Sequence, residues 1–193
     1  GQWYPQRAEP WDVLCGAPLE ELTEGARVGT GSPRRTAQLE AIRPDLQVVP
    51  IRGNVGTRLS QIGGEVDAVV LAEAGLRRLG IADAIDHRFG LDEMVPAPAQ
   101  AALCVEAMDG SEAAQLVDRI DDSGVRAVIE AERLLLAETG AGCRSALGGL
   151  AEVTPDGLRM TSFVHDDAGA RRGVVEASSA PALVEAMCAE LRL

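Results

Sequence analysis

Short apolar runs alternate with helical patterns along the first half of the chain. The alternation predicts strands and helices in turn, at 26–29, 33–42, 46–51, 54–62, 67–72 and 72–79. The helix that begins at Pro33 has two start signals, because Ser32 can cap its first turn and proline suits the first helical position. Strands that alternate with helices in this way favour a parallel sheet with helices on both faces.

The hydrophobic pattern changes after about residue 91. The stretch 91–107 contains two prolines and predicts a crossing segment with a short strand at about 102–106. Helices, an antiparallel meander and a last helix are then predicted, at 111–120, 125–139, 150–153, 158–165, 173–177 and 181–192. The glycine-rich stretch 140–149 is predicted to be a loop.

These patterns predict two kinds of domain in one chain. An α/β domain over 1–93 would have a doubly wound, mainly parallel sheet. A connecting segment over 94–109 would lead to a small α+β domain over 110–193, built on an antiparallel sheet.

Composition narrows the ligands that such a chain can bind. Its 193 residues carry 30 acidic and 18 basic side chains, and only 3% are aromatic, so neither nucleic acid nor a membrane is an expected partner. All 18 basic residues are arginine, and nine of them lie between Arg27 and Arg88. Guanidinium groups bind carboxylates in pairs of hydrogen bonds, so the cluster predicts a small anionic ligand. A surface lattice of salt bridges with the many acidic residues is the alternative.

Two glycine-containing turns concentrate these arginines. Residues 29–35 (GTGSPRR) and 51–58 (IRGNVGTR) each follow a predicted strand and lead into a helix. Arg34 and Arg35 fall in the first turn of a helix, where the helix dipole disfavours cations unless an anion joins them. An ordinary solvated helix start is the other interpretation.

The four cysteines are widely spaced, with no CxxC pair and only two histidines in the chain. A zinc site or a disulfide framework is therefore not expected. We expect the cysteines to be reduced thiols in a cytoplasmic protein. Cys143 lies in the glycine-rich loop beside Arg144, which would favour its thiolate. From the sequence alone an inert thiol is the simpler interpretation. The chain begins with Gly rather than Met and has no signal-peptide pattern, so we expect a fragment or a processed form.

Taken together, the motifs resemble hydroxymethylbilane synthase, also called porphobilinogen deaminase. The matching stretches are VGTGSPRRTAQL (28–39), RPDLQVVPIRGNVGTRLSQI (43–62), DAVVLAEAGLRRLG (67–80), PAPAQAAL (96–103) and AERLLLAETGAGCRSALGG (131–149). The resemblance implies a dipyrromethane cofactor, held by a thioether at Cys143, to which four porphobilinogen units are added with loss of ammonia. Arginines would bind the acetate and propionate arms of the pyrroles.

The resemblance also assigns roles to individual residues. The cofactor-binding set would be Thr30, Ser32, Arg34, Arg35, Arg52, Gly53, Arg58, Arg78, Gln100 and Cys143. Arg35 and Arg52 would take part in catalysis, and no metal is implied. The expected partners are porphobilinogen and the growing polypyrrole, and the full-length family members are expected to be monomeric.

Three departures from the family pattern qualify these expectations. The family's catalytic aspartate lies in an earlier segment with no counterpart here, which would make 94–109 the return segment of an otherwise missing first domain. We therefore expect a truncated form with weak or no activity and without its cofactor. Ala99 and Ala101 replace family glycines, and Ala146 replaces a proline. The alternative function is a non-catalytic module that binds a small polycarboxylate with the same arginines, as domains with a periplasmic-binding-protein-like fold do.

Overall fold

The computed structural model describes residues 1–142 and 145–193. Its strands, numbered β1 to β10, cover Gln2–Trp3, Asp12–Cys15, Arg27–Gly29, Gln47–Val49, Ala68–Ala72, His87–Arg88, Val105–Glu106, Ala146–Thr154, Gly157–Asp166 and Gly169–Ala177. Its α-helices, α1 to α6, cover Pro33–Ile42, Val55–Leu59, Glu73–Arg78, Glu112–Val117, Ser123–Thr139 and Ala180–Leu191. Within the described residues, no helix combines the length and the apolar character that crossing a membrane requires.

A five-stranded mixed sheet forms the first layer, in the order β4-β3-β5-β2-β6. Strands β4, β3 and β5 are parallel, as the alternating pattern predicts. The sheet is not parallel throughout, because β2 pairs antiparallel with both β5 and β6. All four residues of β2 are buried, so this strand has no polar alternation by which to recognise it.

Helices cover both faces of this sheet. On one face, Leu39 of α1 packs with Leu14, Val28 and Val70 of the strands. On the other face, Leu76 of α3 joins a separate apolar cluster that includes Val13 of β2, and α2 packs against the same cluster. The α/β prediction is thus confirmed in its coarse form, a sheet between helices.

The capping signals in the sequence account for the bounds of the longer helices. Ser32 Oγ accepts a hydrogen bond from the Arg35 amide (3.4 Å), so α1 begins at Pro33 as predicted. At α5, the Asp122 carboxylate accepts from the amides of Gly124 and Val125. Gly140 then ends the helix in the left-handed conformation, with φ of 61°.

The second layer is the three-stranded antiparallel meander β10-β9-β8, with α5 and α6 packed on one face. The predicted meander is confirmed, but β8 begins at Ala146, within the predicted loop 140–149. Gly148 belongs to the strand because the chain passes very close there: a β-carbon on it would lie 2.7 Å from the Val95 carbonyl oxygen. Glycine here serves close packing rather than a turn.

The amino-terminal strand belongs to neither large sheet. β1 forms a two-stranded antiparallel pair with β7, in which Trp3 lies opposite Val105. Nearby, Tyr4 is buried in the core that β8, β9, α5 and α6 share. The first residues of the chain therefore pack against its second half.

Candidate functional site

Three loops meet at the carboxyl ends of the parallel strands. The Thr30 amide donates to the Val49 carbonyl (3.0 Å), which joins the end of β3 to the end of β4. A β-carbon on Gly31 would lie 2.8 Å from the Ile51 carbonyl oxygen, so these two loops are in direct contact. A β-carbon on Gly75 would lie 3.4 Å from Val55 Cγ2, which brings the start of α3 beside α2. We call this the carboxyl edge, formed by residues 30–35, 51–58 and 73–78.

Thr30 and Ser32, whose hydroxyl groups were predicted to bind the cofactor, form hydrogen bonds within their own loop. Thr30 is buried, and its Oγ1 accepts a hydrogen bond from the Ser32 amide (3.2 Å). Ser32 Oγ caps α1 through the Arg35 amide. Both side chains therefore shape the turn that leads into α1.

Arg34 and Arg35 converge on a carboxylate that the sequence motifs did not indicate. Arg34 Nη1 donates to Asp12 Oδ2 (2.6 Å), and Arg35 Nε donates to Asp12 Oδ1 (2.8 Å). The Asp12 side chain is 0% exposed, and those of Arg34 and Arg35 are only 4% and 10% exposed. The anion required beside two arginines at a helix start is thus supplied by β2 of the same chain.

Electrostatics keep this carboxylate ionised. Burial raises the pKa of the Asp12 carboxyl, but the charges and hydrogen bonds of Arg35 and Arg34 outweigh burial and hold the pKa below its ordinary value.

Gln100 completes the buried cluster. Its Nε2 donates to the Pro10 carbonyl (2.6 Å) and to Asp12 Oδ1 (3.2 Å), while its Oε1 accepts from Arg34 Nη2 (3.4 Å). The flanking residues Ala99 and Ala101 have φ of 61° and 67°, a conformation that usually requires glycine. The chain keeps this backbone shape at both positions with alanine.

Ion pairing separates the clustered arginines into two groups. Nine arginines lie between Arg27 and Arg88. Six are paired with carboxylates, namely Arg27, Arg34, Arg35, Arg43, Arg77 and Arg88. The other three, Arg52, Arg58 and Arg78, have no carboxylate partner in the described parts of the chain. All three belong to the predicted site, and all three lie on the carboxyl edge.

The turn 52–58 presents two of these cations. Gly53 has φ of 113°, so the turn needs glycine, and the Gly53 carbonyl accepts from Arg58 Nε (2.9 Å). Arg52 is exposed beside it. Asn54 Oδ1 accepts from the Thr57 amide (2.9 Å) and starts α2. Arg78, also exposed, donates through Nη2 to the Ala101 carbonyl (3.1 Å).

A cleft of about 750 Å³ opens on the side of α1 that carries Pro33, Thr36 and Ala37. Its walls include Thr30 and Gly31 at one end, and Gly140, Ser145 and His165 at the other. Thr30 is the predicted site residue that lines it. Cys143, the predicted anchor, lies outside the described residues, although Ser145 shortly after it borders the cleft. Among residues 1–142 and 145–193, no group of His, Cys, Asp and Glu could hold a metal ion.

A scan of protein families matches residues 2–116 to a model described as "Porphobilinogen deaminase, dipyromethane cofactor binding domain". The chain belongs to the porphobilinogen deaminase family. The matched residues include every site residue predicted for this chain except Cys143.

Relatives named porphobilinogen deaminase support the same assignment. The protein of Thermobifida fusca is 48% identical over 166 residues, which cover 82% of this chain and 52% of the relative. That of Acidothermus cellulolyticus is 45% identical over 174 residues, with 86% and 53% covered. That of Corynebacterium aurimucosum is 40% identical over 185 residues, with 94% and 62% covered. The chain thus spans between half and two thirds of the length of these porphobilinogen deaminases.

Proposed function

We propose that this chain functions as a hydroxymethylbilane synthase, the enzyme that condenses four porphobilinogen molecules into a linear tetrapyrrole with loss of ammonia. The observation that carries the proposal is a set of three arginines on one edge of the sheet, Arg52, Arg58 and Arg78, for which the described residues provide no carboxylate partner. Each pyrrole of the substrate and product bears acetate and propionate arms, which are the ligands that such guanidinium groups prefer. The family membership of the chain supports the same chemistry.

The other site residues would act around these three cations. Arg34 and Arg35 would add further donors from the start of α1, and Arg35 and Arg52 are the residues we assign to catalysis. Thr30 and Ser32 would hold the loop between β3 and α1 in shape. Gly53 and Gln100 would do the same for the turn before α2 and for the Arg34 guanidinium.

The residues present suit a dipyrromethane group. When bound, this group supplies a covalently held primer for the addition of pyrrole units, and Cys143 would anchor it. The cleft of about 750 Å³ reaches the segment that flanks Cys143, and its volume is within the range of about 300–1,000 Å³ typical of small-molecule sites. Arg52, Arg58 and Arg78 do not line this cleft, so they would bind only those carboxylates of the group that extend from it onto the carboxyl edge.

The finer domain organisation is also part of this proposal. Residues 1–93 would form a domain like those of periplasmic binding proteins, 94–109 would be the return segment of another domain, and 110–193 would carry the cofactor loop. The pairing of β1 with β7 supports a separate role for the connecting segment. We further propose a cytoplasmic monomer that binds porphobilinogen and polypyrrole, and neither nucleic acid nor membrane.

Intact mass after incubation with porphobilinogen tests the proposal. We expect the chain as purified to carry no cofactor and to turn over weakly or not at all, but on incubation the wild type should gain an increment equal to at least two pyrrole units, and Cys143→Ser should gain none. Cys188→Ser is the matched control, since Cys188 is a second thiol only partly buried in the fold, and it should gain the same increment as wild type. A chain that binds a pyrrole carboxylate reversibly, but never gains mass, would instead be a non-catalytic binding module for polycarboxylates, which the same three arginines would allow.

A further inference from the structure

Asp12 occupies a central place in the site although no motif marks it. It lies at the start of β2, where it is paired with Ala72 at the end of β5. Its side chain therefore reaches the same edge of the sheet as α1, and it is wholly buried there. Three side chains donate to it, namely those of Arg34, Arg35 and Gln100.

Each arginine is held at two separate points. Besides Asp12 Oδ2, Arg34 Nη1 donates to the Val95 carbonyl (2.7 Å). Besides Asp12 Oδ1, Arg35 donates through Nη1 to the Val70 carbonyl (3.1 Å). Arg35 Nη2 also contacts Asp12 Oδ1 (2.7 Å), and Arg34 Nη2 donates to Gln100 Oε1 (3.4 Å), so each planar guanidinium is fixed in one orientation.

The cluster carries less charge than its two arginines suggest. One carboxylate between two guanidinium groups leaves a net charge of +1, which reduces the repulsion between Arg34 and Arg35. Asp12 could thus have either of two effects on an anionic ligand. If Asp12 acts only through its charge, neutralising it strengthens the attraction of the site for carboxylates. If it orients the arginines, neutralising it weakens binding.

We propose that Asp12 is a positioning residue, which orients Arg34 and Arg35 toward the carboxylates of the pyrrole ligand. This role rests on the proposed function, because the ligand is the one assigned there. The preference for orientation over charge follows from the contacts: both oxygens of Asp12 are engaged by different arginines, and Gln100 bridges Asp12 to Arg34.

The test compares Asp12→Asn, Asp12→Glu and Asp67→Asn in the whole chain. The control Asp67 pairs with Arg27 at the amino ends of the strands, far from the carboxyl edge, and its substitution changes the net charge equally. The probe is a pyrrole that carries acetate and propionate arms and lacks the aminomethyl group. Calorimetric titration gives its affinity, and thermal unfolding confirms that each variant is folded.

We expect Asp12→Asn to weaken probe binding at least about tenfold, although it makes the site more positive, and Asp67→Asn to stay within about twofold. Asp12→Glu keeps the charge but displaces it by one methylene, so it should also bind more weakly than wild type. This variant decides the matter if Asp12→Asn does not fold. Wild-type affinity or tighter binding in either Asp12 variant would overturn the positioning role. A wild-type chain that fails to bind the probe contradicts the proposed function itself, and the positioning role with it.

Discussion

Arg7 forms a two-pronged ion pair with Glu132, in which Nη1 and Nη2 contact the two carboxylate oxygens at 2.7 and 3.1 Å. The pair joins the segment before β2 to the middle of α5. The Glu132 side chain is wholly buried, and it also accepts from the amides of Ala99 (2.5 Å) and Ala151 (2.9 Å). One carboxylate thus connects the first segment, the connecting segment and the second sheet.

Removing Arg7 should destabilise the chain strongly. Arg7→Ala would leave the Glu132 carboxylate buried without its cation, which typically costs about 3–5 kcal/mol in the free energy of unfolding. Burial raises the pKa of Glu132 in spite of Arg7 and of the two backbone amides that donate to it, so without Arg7 only those amides would compensate the buried charge. Urea unfolding at neutral pH measures the loss.

The control for that experiment is an exposed ion pair. Arg159 lies 3.9 Å from Glu176 on the outer side of the meander, and Arg159→Ala should cost less than about 1 kcal/mol. Equal losses in Arg7→Ala and Arg159→Ala would show that the buried pair contributes nothing special.

Replacing either of the two alanines with positive φ, Ala99 and Ala101, by glycine should stabilise the folded chain. Ala99→Gly and Ala101→Gly relieve a conformation that costs a residue with a β-carbon about 1–2 kcal/mol, and the greater flexibility of unfolded glycine offsets part of this gain. We expect each variant to raise the free energy of unfolding by about 0.5–1 kcal/mol. Ala102→Gly, at a residue without positive φ, should lower it. If all three substitutions lower the free energy of unfolding, the backbone at Ala99 and Ala101 is not strained.

Acid should weaken the turn between β9 and β10 through Asp166. Its side-chain hydrogen bonds from Arg171, together with the Ala168 amide, lower the pKa of the carboxyl to about 2. A lowered pKa stabilises the folded state above the unfolded value of about 3.9, and this contribution disappears as the pH falls toward 2. The stability difference between wild type and Asp166→Asn should therefore shrink between pH 5 and pH 2.5 in urea titrations. A difference that stays constant over this range would contradict the shift.

The sequence predicted those elements best that have local signals. Ser32 and Pro33 located the start of α1, because capping is decided within a few residues. Helix α5 was predicted over 125–139 and covers Ser123–Thr139, so its end is confirmed and its start lies two residues earlier. Strand β2 had no such signal, since its short run is buried on both faces and pairs with residues more than fifty positions away.

The candidate site could be predicted only in part for the same reason. Arg52 and Arg58 occur in one short motif with the glycine that shapes their turn, so their proximity is local. Asp12 precedes Arg34 by 22 residues and Gln100 by 88, and only the folded sheet brings them together. The requirement for an anion near Arg34 and Arg35 was visible in the sequence, but not which residue meets it.

Titration of the acetate- and propionate-bearing pyrrole into Arg52→Ala, Arg58→Ala and Arg78→Ala tests the central claim most directly. These arginines have no carboxylate partner in the part of the chain that the structure describes, so their loss should leave the fold stable. Each substitution should weaken binding by about 1.5–3 kcal/mol, the typical contribution of a hydrogen bond to a charged group. Arg119→Ala, an exposed arginine far along the chain, should bind as wild type does. Equal affinity in all four variants and wild type would contradict the assignment of the carboxyl edge as the ligand site.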